Sequence, residues 1–528
     1  MFIDFDFFQI RAASVPDESL MPSKYLEKIL RARVYDVAVE TPLEYAHRMS
    51  QKLDNHVRLK REDLQPVFSF KIRGAYNKLA NMPEELRNKG VIAASAGNHA
   101  QGVALAARRM GIPATIVMPR TTPPIKVDAV RMHGAKAVLH GDTYDEAYAH
   151  ATKLSEQKQL NFIHPFDDPD VIAGQGTIGV EILRQHQDPV HSVFVPVGGG
   201  GLIAGVAAYI KSICPNTRII GVEPEDSPTL ERALAAKRRV KLKQTGLFAD
   251  GVAVKQIGKE TFRLARKTVD EVVLVKTDEI CAAIKDIFED TRSIAEPAGA
   301  LAIAGMKKYI AKYDLHGEQM IAIVSGANMN FDRLRHVAER AEIGEMREAL
   351  LAVGIPEVPG SFQKFCRLLG KRSITEFNYR YADSKDAYVF CGIEVAEGVS
   401  ERERLIDELT GAGYEVTDLT DNETAKLHIR YMVGGHTPEV LNEKLFRFQF
   451  PERPGALLNF LSRVGKRWNI SLFHYRNHGA AYGRVLIGIQ LPDGDKRDFT
   501  SQMDKLGYRY WEETDNPAYH FFAAPDKT

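Results

Sequence analysis

The chain has 528 residues, with 70 lysines and arginines against 69 aspartates and glutamates, a net charge of +1. At roughly 100–200 residues per domain it is too long for one core, and three or four units are expected. The near-even charge excludes a general nucleic-acid or anionic-membrane surface, and 44% apolar with 26% charged residues is the balance of an ordinary globular protein.

The chain opens on Met1-Phe2-Ile3-Asp4-Phe5-Asp6-Phe7-Phe8, where acids interrupt the apolar run and no basic n-region precedes it, so it makes a poor signal peptide. Residues 1–20 read as an N-terminal extension, and Met21 is a second candidate start. No apolar run reaches the ~20 residues of a membrane span. The four cysteines, Cys214, Cys281, Cys366 and Cys391, are widely spaced and form no metal-type or redox-type pair. A cytoplasmic protein with free thiols is expected.

From about residue 90, short β-branched runs alternate with helical stretches. Strands are predicted at Val91–Ala94, Ala114–Met118 and Lys136–His140, with helices at His99–Arg109 and Lys126–His133, the latter stopped by Gly134. The alternation returns with strands at Ser192–Val197, Arg218–Val222, Glu271–Val275 and Met320–Val324. Such a pattern argues for an α/β fold whose parallel sheets are covered on both faces.

After about residue 345 the chain repeats itself. Ile355-Pro356-Glu357-Val358-Pro359-Gly360 matches Phe450-Pro451-Glu452-Arg453-Pro454-Gly455 at an offset of 95. Phe365 then matches Phe460, and Gly370-Lys371-Arg372 matches Gly465-Lys466-Arg467. After a one-residue slip, Ile374, Phe377 and Tyr379-Arg380 match Ile470, Phe473 and Tyr475-Arg476. Each copy reads as strand, Pro-Gly turn, helix, strand, strand and a second helix such as Ser400–Ala412, a βαββαβ pattern. The tyrosines and Arg476 carry no assignment, since paired aromatics also serve as interface core.

Four segments carry chemistry. In Ser69-Phe70-Lys71-Ile72-Arg73-Gly74-Ala75, Lys71 follows the turn-rich Glu62-Asp63-Leu64-Gln65-Pro66 and opens a helix that Ser69 is expected to cap. A partly buried lysine with a depressed pKa is the kind that forms imines with an aldehyde. Phe70 is either cofactor packing or core. Ser95-Ala96-Gly97-Asn98-His99 joins a strand end to a helix start, where unpaired N–H groups favour an anion such as a substrate carboxylate. Asn98 alone is also explained as a helix cap, and His99 is read as structural. Gly198-Gly199-Gly200-Gly201, between a buried strand and the apolar helix opening at Leu202, suits close approach to phosphate oxygens. No Gly-Lys-Ser/Thr follows it, and no dinucleotide fingerprint is present. Ser325-Gly326-Ala327-Asn328 follows the last apolar strand, where a serine capping a turn is the plainer alternative.

In this order the four segments resemble the fold-type II pyridoxal-phosphate (PLP) enzymes, most closely the threonine dehydratases, over about residue 25 to the end. The repeat looks like a pair of ACT-like regulatory modules. A duplicated oligomer-contact module is the alternative. The resemblance implies a catalytic domain of two α/β lobes at 21–345, with the smaller lobe at about 75–165, and modules at 346–425 and 446–520. It assigns Lys71 as catalytic and as the cofactor's attachment point. Phe70, Asn98, Gly198, Gly199, Gly200, Gly201, Leu202, Gly251 and Ser325 become cofactor contacts. Asn98 would bond the phenolic oxygen, and Ser325 the ring nitrogen. Ser95, Ala96, Gly97, Asn98 and His99 would bind substrate. Glu296-Pro297-Ala298-Gly299-Ala300 also matches, without a step for Glu296. Related enzymes place a divalent metal after a Val-Glu-Pro strand end; here Val222-Glu223-Pro224 is followed by Thr229 at the acidic position, and no metal is predicted. The implied activity is deamination of L-threonine to 2-oxobutanoate, and of L-serine to pyruvate. The long tail implies isoleucine and valine as effectors and a homotetramer. Alternatives are serine racemisation, another β-elimination or a β-replacement. From another class comes an amino-acid-binding sensor with an inactive catalytic half.

Overall fold

The computed structural model describes residues 21–246, 248–331, 333–356, 358–380, 386–422, 425–426, 440–451, 456–464, 467–476, 482–506 and 509–516. The extension at 1–20 and Glu452–Gly455 of the second Pro-Gly segment lie outside them. The chain divides into two units, one ending at Ala341 and one beginning at Glu342.

The first unit holds two sheets. Its strands are β1 (Leu43–Tyr45), β2 (His56–Arg61), β3 (Val91–Ala94), β4 (Ala114–Met118), β5 (Lys136–Leu139), β6 (Asn161–Phe162), β7 (Ser192–Pro196), β8 (Arg218–Pro224), β9 (Glu271–Val275) and β10 (Gln319–Val324). The six-stranded sheet runs β1-β2-β10-β7-β8-β9, parallel from β2 to β9, with only β1 antiparallel. The four-stranded sheet, β5-β4-β3-β6, is wholly parallel. The expected alternation is therefore the one observed, with strand ends moved by one or two residues.

The strands read as continuous apolar runs because both faces are covered. On β10, Met320, Ala322 and Val324 join one core with the helix Pro297–Tyr313. Ile321 and Ile323 join the opposite core with the helices Pro169–Gln185 and Gly201–Ile213. Period two sends neighbours to opposite faces, so both sets must be apolar. The carboxyl ends of β3 and β10 run directly into Ser95 and Ser325, and that of β7 reaches Gly198 through Val197.

The second unit contains β11 (Glu348–Pro356), β12 (Ile374–Arg380), β13 (Asp386–Glu394), β14 (Glu415–Asp418), β15 (Glu443–Pro451), β16 (Ile470–Arg476), β17 (Tyr482–Gln490) and β18 (Arg509–Glu512). Each half is βαββαβ, with helices Ser361–Leu369 and Val399–Gly411 in the first and Ala456–Val464 and Lys496–Leu506 in the second. Gly360 makes the first Pro-Gly turn at φ 93°, a conformation open to glycine. The two halves share one eight-stranded sheet, β14-β11-β13-β12-β16-β17-β15-β18, joined by antiparallel β12 and β16. Phe377 pairs with Tyr475 and Tyr379 with Phe473, so equivalent residues of the repeat exchange places across the join. These aromatics are buried, and the rings of Phe377 and Phe473 meet edge to face at 5.3 Å. Tyr379 and Tyr475 thus serve the core of that junction.

Among the described residues no helix is long and apolar enough to cross a membrane.

Candidate active site

Lys71 is the first residue of the helix Lys71–Asn81, but Ser69 does not cap it. The cap position is Phe70, in helical conformation and without a side-chain cap bond. Ser69 instead bridges to Gly326, which pins the lysine segment to the segment after β10. Phe70 N–H donates to Ser325 O at 3.2 Å, and Ala327 N–H to Phe68 O at 2.9 Å. The expectation of a serine cap failed because this backbone is held from across the sheet.

Two residues beyond the lysine, Arg73 anchors the same helix. Its guanidinium grips Glu62 at 2.7 and 2.8 Å and Glu181 at 2.5 and 2.9 Å, and Lys60 completes the set 2.6 Å from Glu181. All four side chains are fully buried. The Lys71 amine lies 5.3 Å from the Phe70 ring centre. Phe70 itself packs partly on the core formed by Ile321 and Ile323, as its core reading expects. The surrounding protein desolvates the Lys71 amine and lowers its pKa to about 8, against the raising influence of Glu296.

Asn98 is the first residue of the helix Asn98–Met110; Gly97 is the cap residue, so the helix-cap reading of Asn98 fails. Its amide reaches Glu296 Oε1 at 2.5 Å and Asn328 at 2.7 Å. His99 is buried, with Nε2 2.9 Å from Ile163 O, and burial lowers its pKa to about 3. It is a neutral packed donor. Ser95 Oγ accepts from Gly97 N–H at 3.2 Å and shapes the loop. Lys71 influences His99, His164 and Glu296 electrostatically.

The tetraglycine loop is held from behind by its carbonyls. Thr261 Oγ1 donates to Gly199 O at 2.7 Å, and Thr229 Oγ1 lies 3.1 Å from Gly198 O, its one hydrogen shared between that carbonyl and Glu223. Gly200 has φ 88°, and the helix Gly201–Ile213 begins immediately after it. A Cβ on Gly199 would stand 2.2 Å from the Phe166 ring, so the backbone there lies against an aromatic face. The short turn Asp250–Val252 ties this loop to the rest. Val252 backbone lies where a Gly198 Cβ would come within 2.9 Å, and a Gly251 Cβ would approach Ala298 at 2.8 Å and Glu296 at 3.6 Å. Asp250 is bridged at 3.0 Å by Lys126 and at 3.3 Å by Arg333. Leu202, in the helix's first turn, is buried in the core beneath the loop. Ser325 Oγ makes a long 3.3 Å bond to Ala298 O.

The structure therefore brings Asn98 and Gly251 to Glu296, sets Lys71 within its electrostatic reach and places Ser325 next to Gly326, whose backbone adjoins the same carboxyl, with Gly198–Gly201 joined to them through the 250–252 turn. Glu296 is buried, and desolvation raises its pKa to about 7. Sequence reading noticed it without a task. It had no signal for Asn328 as a partner of Asn98, nor for Phe166 behind the glycines.

These residues fit PLP. A desolvated lysine, first-turn amides of a helix beside close-packed glycines, and a buried Ser69 hydroxyl without a hydrogen-bond partner among the described residues suit an aldehyde, a phosphate and a polar ring. Glu223 has both carboxyl oxygens engaged in hydrogen bonds. It accepts from Thr229 Oγ1 at 2.8 Å and from the N–H groups of Leu230 and Glu231 at 2.8 and 3.0 Å. No cluster of three or more His, Cys, Asp or Glu placed to hold a metal occurs among the described residues.

Comparison with known proteins agrees with this chemistry. Residues 34–326 match the pyridoxal-phosphate dependent enzyme family, and 339–429 and 435–523 each match the C-terminal regulatory domain of threonine dehydratase. The chain is 57% identical over 501 residues to the biosynthetic L-threonine dehydratase of Burkholderia multivorans, covering 94% of this chain and 99% of the relative. With the biosynthetic L-threonine dehydratase of Escherichia coli it shares 55% identity over 504 residues, 95% and 97% of the two chains. The solved structure of the processed form of threonine deaminase isoform 2 from Solanum lycopersicum superposes with a TM-score of 0.61 at 53% identity, covering 63% of this chain and 90% of that one. Identity at this level over nearly the whole length, with both halves matched in order, means that the chain belongs to the threonine dehydratase family of PLP-dependent enzymes.

Proposed function

We propose that the chain is an L-threonine ammonia-lyase. It converts L-threonine to 2-oxobutanoate and ammonia, and L-serine to pyruvate, with feedback control through its second unit. The observation that carries this is the meeting of Asn98 and Gly251 at one buried acid, with Lys71 within its electrostatic reach and Ser325 next to Gly326, in a family of dehydratases.

When bound, PLP supplies the electron sink for the pair released at the substrate's Cα. Lys71 would hold the cofactor and would take the substrate's α-proton as general base; its lowered pKa keeps part of it unprotonated near neutral pH. The first-turn amides at Ser95–His99 receive the substrate carboxylate. Gly198–Gly201 would hold the phosphate, with the Gly198 and Gly199 carbonyls held by Thr229 and Thr261. Ser325 would bond the ring nitrogen, and a hydroxyl there would leave that nitrogen neutral, which favours elimination. The α-proton and the β-hydroxyl are thus lost together as the elements of water, and the enamine left behind tautomerises and hydrolyses to the 2-oxo acid and ammonia.

In this reading residues 21–345 catalyse, and modules at 346–425 and 446–520 bind amino-acid effectors. Isoleucine inhibits by preferring the less active state and valine relieves it. The enzyme works in the cytoplasm as a homotetramer. The test is 2-oxobutanoate formation from threonine by the purified protein, with and without isoleucine. Turnover suppressed by isoleucine is expected. Turnover indifferent to isoleucine would remove the effector assignment, and PLP bound without turnover, or a Lys71→Ala protein with normal turnover, would remove the catalytic one.

A further inference from the structure

Nothing local to Asn98 decides which way its amide faces. Three links decide it. The Val67 carbonyl can only accept, and it lies 2.8 Å from Asn328 Nδ2, so the Asn328 nitrogen is on that side. The same nitrogen lies 2.7 Å from Asn98 Oδ1, so its second hydrogen goes there and Asn98 presents its oxygen to it. The Asn98 nitrogen therefore faces Glu296 Oε1, 2.5 Å away. One of its two hydrogens is engaged, and an amide plane held at both ends fixes the direction of the other.

Glu296 is itself set in place. It precedes the helix Pro297–Tyr313, and its backbone N–H donates to Gly326 O at 3.1 Å. A Cβ on Gly326 would lie 2.6 Å from Glu296 Oε1, so only glycine beside Ser325 leaves the carboxyl its room. At the N-cap position Glu296 makes no capping bond of its own, and its side chain is turned to Asn98 instead.

We propose that Glu296 and Asn328 are positioning residues that clamp the Asn98 amide and aim its remaining N–H at the phenolic oxygen of the cofactor. This rests on the reading of the cleft as the PLP site. Both would act on that oxygen through Asn98.

The test is PLP binding to the full-length protein, read as the Kd for PLP added to cofactor-stripped enzyme and as the visible absorption of the bound form. Asn328→Asp puts an acceptor opposite both the Val67 carbonyl and Asn98 Oδ1. It should weaken PLP binding about tenfold, the worth of one good hydrogen bond in a desolvated site, and displace the absorption maximum. Asn98→Ala added to Asn328→Asp should cost little more, because both remove the same contact. Glu296→Gln keeps an oxygen towards Asn98 and should bind within about twofold of the parent, whereas Glu296→Ala should resemble Asn328→Asp. Where Asn328→Asp fails to fold, the Glu296 pair answers the same question. Asn328→Asp with the parent's affinity and spectrum, effects of Asn98→Ala and Asn328→Asp that multiply, or Glu296→Ala and Glu296→Gln behaving alike would overturn the clamp. A parent protein lacking a Lys71-dependent visible band would instead overturn the reading of the cleft.

Discussion

Arg73 offers the sharpest test of how the lysine helix is held. Arg73→Met would leave Glu62 and Glu181 fully buried with only Lys60 to balance them. The guanidinium now donates twice to each carboxylate and, with its fifth hydrogen, to Thr177 Oγ1 at 3.1 Å. Removing one partner from a buried ionic set costs about 3–5 kcal/mol, mostly the desolvation of the charge left behind. The first unit has about 320 residues to Ala341, and at ~2.1 cal/mol/K per residue its unfolding entropy is about 0.7 kcal/mol/K. The melting temperature of that unit should fall by about 4–7 °C, read by scanning calorimetry of the full chain. Adding Glu62→Gln restores the balance of one acid to one base and should recover part of the loss. A single Arg73→Met variant melting within about 1 °C of the parent would refute the reasoning, because well-packed methionine would then replace the charge set at no cost.

Three further outcomes follow from the geometry. Burial lowers the Lys71 pKa to about 8, so PLP capture by stripped enzyme should rise with pH through about 8; at pH 7.5 roughly a quarter of the amine is free, against about one part in a thousand for an ordinary lysine. Stopped-flow absorbance checks this, and a midpoint above about 10 would contradict it. Gly200→Ala places a side chain at φ 88° with its Cβ 3.0 Å from Thr261, a strain of about 1–2 kcal/mol; PLP affinity should drop about tenfold in a spectroscopic titration, and an unchanged Kd would show that the loop does not hold the phosphate. Phe473→Ala removes a fully buried ring from the junction between the repeats at about 3–5 kcal/mol; isoleucine inhibition should be lost while threonine turnover persists, and retained inhibition would detach that junction from control.

Much of this protein was legible in one dimension. Strands such as Val91–Ala94 and Met320–Val324 announce themselves because a doubly covered parallel strand must be apolar throughout. The chemistry of Lys71, the tetraglycine run and Ser325 is readable because each needs only a few adjacent residues at a strand–helix junction. The repeat after residue 345 shows in its own register. Other features were decided only by the closed fold. Asn98 meets Glu296 across 198 residues and Asn328 across 230, and no short window contains such a meeting. Ser69 looked like a helix cap because local pattern favours it, but its backbone is bridged to Gly326. The pairing of β12 with β16 depends on two copies of one module finding each other's edge. Local preference reaches a few residues along the chain, whereas the direction of an amide depends on which distant acceptors the packed core brings beside it.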